Sequence, residues 1–274
     1  MSDIGVYSKN IFGFLFVMLL LTSCSGGGEE KTLNLQTYPF ETDIPITIHA
    51  RNGRINISNG TSGKVTLSGS VRSLNPEQPL TALKSGGLYI DADNPSSVIN
   101  IELKVPSGSQ IILNTYGAEL VVKDFSGSLD VTSAAGNIKI ENMQGQAVVR
   151  ANRGDVLIES STGEFHLPGN YGLINLNDVS GEVIASTIMG TICYEGLLDA
   201  FDKIEFETDH GPVEIRLDPA SNVDVLVKTT TGVVDCVVPG LIQDGAGCTG
   251  QLGNGDGLLQ VYTVSGEVDL KLTP

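Results

Sequence analysis

The residues of this chain that could do chemistry are few and far apart. Cys236 and Cys248 lie twelve positions apart across a glycine-rich stretch. In an oxidising compartment they are candidates for a disulfide, and closing a loop of that length stabilises a fold by about 3 kcal/mol. A third cysteine, Cys193, would then be left over. Glu141 and Glu159 are candidate ligands for a divalent cation if the fold brings them together, although calcium needs more oxygen ligands than two carboxylates supply. Gly253-Asn254-Gly255-Asp256-Gly257 echoes a calcium loop but carries a single carboxylate, so a hairpin turn is the plainer reading. His49, His166 and His210 are scattered, and no Lys or Arg occurs between Gly154 and Asp202. A polysaccharide-cleaving enzyme needs clustered carboxylates near the scissile bond, and no such cluster is visible. Zinc spacings, a Gly-x-Ser-x-Gly elbow and a phosphate loop are missing too, so neither catalysis nor a cofactor is expected.

The elements that must position these residues follow a clock. Gly127, Gly136, Gly145, Gly154, Gly163, Gly172, Gly181 and Gly190 recur every nine residues. The second and fourth residues after each glycine are apolar, from Leu129 and Val131 through Ile192 and Tyr194. Period-two alternation after a glycine reads as a short strand with one buried face, and fixed repetition reads as a stack of such strands. A weaker eighteen-residue period places Phe125, Met143, Val179 and Leu197 at equivalent points, with Ser161 the exception. Two strands per coil account for both periods. The expected fold is therefore all-β: a single-stranded parallel β-solenoid, or β-helix, with coils of about eighteen residues, regular from about 108 to 196. Eighteen-residue register would stack Lys123, Glu141, Glu159, Asn177 and Glu195 in one outward column. It also predicts an inward column of Ile138, Val156, Ile174 and Ile192. Only Tyr194–Asp202 has room for a helical turn.

The first 23 residues do not belong to that fold. Lys9 precedes the apolar run Ile11–Leu21, which is too short to span a bilayer and suits a secretion leader. Leu21-Thr22-Ser23-Cys24 resembles the bacterial lipoprotein processing box, and the resemblance implies cleavage before Cys24 and lipidation of its thiol. Residues 24–31 then read as a flexible tether and 32–274 as the folded domain. A lipid on one cysteine anchors a protein without spanning the membrane. The implied location is the cell envelope, extracytoplasmic, and the outer membrane where the source is diderm.

Between Thr32 and Pro106 strand-like runs occur without the clock, an irregular N-terminal β-segment. Beyond Gly196 a motif recurs at Gly211-Pro212-Val213, Gly232-Val233-Val234 and Gly266-Glu267-Val268, which reads as longer coils closing at Leu272. An insertion at about 241–253 carries Cys248. Together with Leu103-Lys104-Val105-Pro106-Ser107-Gly108 and Gly127-Ser128-Leu129-Asp130-Val131, these motifs resemble the bacterial "putative-adhesin" domain family of glycine-x-hydrophobic repeats. That resemblance covers nearly all of 32–274. It implies a β-solenoid at the cell envelope and supplies no catalytic residues.

Charge is unevenly placed. Residues 24–153 hold 11 basic and 12 acidic side chains, whereas residues 154–274 hold 4 basic and 19 acidic ones. This sign disfavours nucleic acid and anionic lipid as partners. It fits either solubility or a cation-bridged contact, and calcium is the natural candidate ion. With no Trp in the chain, glycan platforms would have to come from Tyr116, Tyr171 or Tyr262 at turns. The expectation is a non-catalytic, lipid-anchored protein for adhesion, interaction or scaffolding, with an unidentified envelope partner. The alternatives are a polysaccharide-acting β-helix enzyme and an envelope-stress or sensory accessory protein.

Overall fold

The structure, a computed structural model, describes residues 29–40, 44–73, 81–84, 87–169 and 171–274. Cys24 lies outside the described residues. The fold is all-β, with 23 strands in one mixed sheet and no helix among the described residues. Its centre is built on eighteen-residue parallel register: Leu120 pairs with Ile138, Ile138 with Val156, Val156 with Ile174, and Ile174 with Ile192. On the other face Ile111, Leu129, Ala147, Phe165 and Val183 pair in the same way. All ten side chains are buried and join one continuous apolar cluster. Alternation alone explains this, because a one-residue slip would turn every inward side chain to solvent.

The nine-residue clock has a steric cause. A Cβ on Gly163 would lie 1.8 Å from the carbonyl oxygen of Gly145, and one on Gly154 would lie 2.0 Å from that of Gly136. At both corners of each eighteen-residue unit the backbone of one rung rests on the next, and only hydrogen fits between them. The residues near the alternate corners are also explained. Phe125, Met143 and Val179 are buried as expected, and so is Ser161. Its hydroxyl accepts from the Met143 N–H at 3.0 Å and donates to the Glu159 carbonyl at 2.7 Å, so the buried polar group is satisfied. Leu197 departs from its expected place: it is exposed, and Leu198 takes the inward position. The 194–202 stretch forms no helical turn. It is the end of strand Ile192–Gly196 followed by a loop.

A second corner is held by hydroxyls. Thr115, Ser133, Thr187, Thr208 and Thr229 each accept the backbone N–H three residues on, at 2.7–3.0 Å. Ala151 and Gly169 occupy the equivalent place in two middle rungs, where a small cavity of about 10 Å³ is lined by both of them and by Val149, Leu167 and Ile174.

The ends correct the sequence reading. The N-terminal segment, expected as irregular β without the clock, takes part in the parallel stacking: strand Ile46–Ala50 pairs in parallel with both Gly87–Ala92 and Ser109–Thr115. Strand Asn52–Asn59 likewise lies between Val98–Val105 and Glu119–Lys123. At the other end strand Lys203–Thr208 pairs with Gly257–Thr263, which pairs in turn with Val223–Thr229. Val213–Leu217, Val268–Leu272 and Val234–Val237 follow the same order. The rung ending at Leu272 therefore does not close the array; it is inserted between two earlier ones. The glycine motifs at 211, 232 and 266 are sterically alike, so each fits against the others. A Cβ on Gly266 would meet the Gly211 oxygen at 2.0 Å, and one on Gly232 would meet the Gly266 oxygen at 2.1 Å.

Antiparallel strands then finish both ends. Glu29–Pro39 and Ser73-ending Lys64–Ser73 layer onto Val98–Val105, and Thr81–Lys84 pairs with Gly87–Ala92. The first strand thus begins inside the segment read as a tether, because its backbone pairs with residues 64–73. At the far end Gly247–Leu252 lies antiparallel on Val223–Thr229 and carries Leu241–Asp244 outside it.

Candidate functional site

The outward column forms in the expected register, with Lys123, Glu141, Glu159, Asn177 and Glu195 paired in turn. Glu141 and Glu159 in it are already paired with lysines rather than open to a cation. Lys123 Nζ lies 2.8 Å from Glu141, and Lys139 Nζ lies 2.6 Å from Glu159 and 3.5 Å from Glu141. Lys139 sits in the neighbouring outward column, which a reading along one column leaves out. The hydrogen bond from Lys123 holds the Glu141 carboxyl below its ordinary pKa, and the bond to Glu159 raises that of Lys139. Among the described residues no three His, Cys, Asp or Glu side chains are grouped to hold a metal.

The glycine-rich loop at 253–257 is likewise engaged in holding the fold. Asn222 Oδ1 accepts the N–H groups of Asn254 and Gly255 at 2.6 and 2.9 Å, while its Nδ2 donates to Asp256 at 2.8 Å. The lone carboxylate of the glycine-rich loop is thus spent on a turn. His49, His166 and His210 stand exposed and do not converge; His210 Nδ1 is 2.7 Å from Ser265 Oγ. Tyr116 and Tyr171 are exposed at turns, Tyr116 beneath the Arg51 guanidinium at 5.1 Å. Tyr262 instead lies on a strand, beside Lys228 and Val264 in a groove of about 330 Å³.

Cys236 and Cys248 are joined as a disulfide, with Cα atoms 6.4 Å apart. The bridge ties the outermost parallel strand, Val234–Val237, to the inserted hairpin. Among the described residues that strand has a parallel neighbour on one side only. On its open side the Gln243 side chain stands in for a strand: Nε2–H donates to the Val234 carbonyl at 2.6 Å, and Oε1 accepts the Cys236 N–H at 3.3 Å. The insertion therefore blunts an edge that would otherwise template pairing with another chain. Cys193 is free and half-buried on the outward side, and burial pushes its thiol pKa up.

Bacterial proteins are among the solved structures similar to this chain. One from Bacteroides fragilis, described as a "putative adhesin", is 14% identical, with 88% of this chain and 97% of that one covered at a TM-score of 0.46. Another so described, from Parabacteroides merdae, is 9% identical over 88% and 96% of the two chains at 0.35. A "putative cell adhesion protein" from Clostridium sporogenes is 10% identical over 89% and 100% at 0.22. No family model matches the chain. No curated protein matches it either.

One feature was not legible from the motifs. The loop after Gly196 carries Phe201 and Leu197 into solvent while burying Asp202. In sequence it shows only as the point where the register lengthens from eighteen to twenty-one residues.

Proposed function

We propose that this chain is a non-catalytic, lipid-anchored protein of the cell envelope, and that its β-solenoid serves adhesion or interaction as a stiff display scaffold. In this reading residues 1–23 are a leader, Cys24 carries the lipid, and the described residues wind as a solenoid of two parallel strands per turn with capped ends. The observation that carries the reading is where the polar chemistry goes. Glu141, Glu159, Asp202, Asn222 and Asp256 are all committed to contacts within the fold. A site that binds and transforms a small molecule needs convergent polar groups with open valences.

The geometry also suits a short leash. Glu29 already belongs to a strand paired with residues 64–73, so five peptide units separate it from Cys24. They reach about 17 Å at full extension. The N-terminal end would sit close to the membrane, and the strongly acidic C-terminal half would stand away from anionic headgroups. Labelling with a radioactive fatty acid tests the anchor: Cys24→Ala should abolish the label and leave the chain unprocessed or released. Unchanged labelling would overturn it. Retention of fluorescent protein on isolated envelope, with and without chelator, tests the interaction role. No retention in either condition would contradict it.

A further inference from the structure

The register between Phe165 and Val183 is eighteen residues, and between Val183 and Ile204 it is twenty-one. The three additional residues are held as a defined turn. Asp202 is buried, and its Oδ1 accepts the Gly181 N–H and its Oδ2 the Asp199 N–H, both at 2.7 Å. The Asp202 N–H donates to the Asp199 carbonyl and its own carbonyl accepts the Leu258 N–H, each at 2.9 Å. Leu198 anchors the near side, fully buried, with its N–H donating to Ser221 Oγ at 3.2 Å. Between these fixed points Phe201 is 95% exposed, the most exposed large apolar side chain among the described residues, and Leu197, just before Leu198, is 48% exposed.

Nothing in the packing of the array calls for this phenylalanine. The preceding rungs close the same corner with three fewer residues, and the following rung, of the same length, presents no large apolar side chain there. A rigidly presented aromatic is what an interface anchor needs, since its backbone is ordered before binding and little entropy is lost on contact. The charges around it are mostly acidic. Asp199 lies within the loop, the Asp218 N–H donates to the Gly196 carbonyl, and Asp256 precedes Gly257, which packs against the Asp199 carbonyl; the adjoining cations, Lys203 and Arg216, are held by Glu182 at 2.8 Å and Glu214 at 3.8 Å. Such a collar repels an anionic membrane or nucleic acid. A second copy would bring the same acidic surface.

From this we infer that the 197–202 loop is a docking point for a protein partner presenting an apolar pocket rimmed by Lys or Arg. The inference rests on the interaction role proposed above and names its site. Phe201 fills the pocket, and the acidic collar steers the approach, so the contact weakens as salt rises.

The test pans a phage-displayed library of random twelve-residue peptides on the full chain in detergent. Enriched peptides should carry Lys or Arg flanking an apolar core and bind Phe201→Ala at least tenfold more weakly. Because the Phe201 side chain is 95% exposed, the variant should melt with the parent. Peptides without basic enrichment, or peptides that bind Phe201→Ala equally, overturn the inference. So does self-association in the ultracentrifuge that Phe201→Ala abolishes, which would assign the loop to a second copy. Envelope that retains the parent and Phe201→Ala alike also sinks it while leaving the interaction role standing; failure of both peptide and envelope binding removes both.

Discussion

Between Ile111 and Leu217 each rung lies on the one that precedes it in the chain; at both ends the order is broken. The middle needs only nearest-neighbour contacts, and one short motif repeated at a fixed period supplies them. The ends face a different problem, because a stack of strands leaves unpaired backbone at each terminus. The chain solves it twice in a related way. Strands Ile46–Ala50 and Gly257–Thr263, near its two termini, are placed one rung in from the end of the parallel array. Both edges are then finished by antiparallel strands, and the far one also by a disulfide and a glutamine. Periodicity builds length, and departures from it stop the growth.

The largest expected effect separates the two regions by burial. Ile174→Asp puts an unpaired carboxylate into the central column and should cost more than about 4 kcal/mol, enough to unfold the array in a thermal melt. Val237→Asp on the outer strand should cost less than about 0.5 kcal/mol, since that side chain is largely exposed. Equal losses would mean that the middle is not the stabilising unit. Next in size is the bridge. Replacing Cys236 and Cys248 by Ser should loosen the far end by about 2–3 kcal/mol. Amide exchange should quicken over 223–252 and stay unchanged over 127–195. Gln243→Ala removes the stand-in for a missing strand at a cost of about 1 kcal/mol, and sedimentation should then show edge-paired dimers.

The smallest effects lie in the middle itself. Ala151→Ser should restore the missing corner hydroxyl and raise stability by about 0.5–1 kcal/mol; a lower melting temperature would show that the position has no room. The Glu141 carboxyl should titrate below the ordinary value of 4.5, and Lys123→Met should move its NMR midpoint upward. A depressed folded pKa contributes stability present above the unfolded value and lost as pH falls through the folded one. Acidification below about pH 4.5 should therefore weaken this column, and an unshifted midpoint would remove the Lys123 contact.

The regular half of the fold was readable because its cause is local. Glycine at 127, 136 and onward marks each corner, and the alternating apolar pairs fix both the strands and their eighteen-residue register. The order of the terminal rungs was not readable. The motifs at Gly211, Gly232 and Gly266 are interchangeable in shape, and a period says that units stack without saying which neighbour each one takes. The charged column was half-readable. Its members follow from the register, but Lys139 neutralises it from the next column. Nor does the sequence show that the three residues added after Gly196 form a pinned turn, because the buried hydrogen bonds of Asp202 come from Gly181, a full rung away.

The rung order is the central claim, and paired cysteines test it most directly. In a Cys193→Ser background, Glu205→Cys with Gln260→Cys, and Leu226→Cys with Gln260→Cys, place thiols on adjacent parallel strands at matched register. Both pairs should oxidise readily, and Glu205→Cys with Leu226→Cys, two rungs or about 9.6 Å apart, should not. Ready bridging of 205 to 226 with none from 205 to 260 would mean that the rungs stack in chain order, and the account of the ends would be wrong.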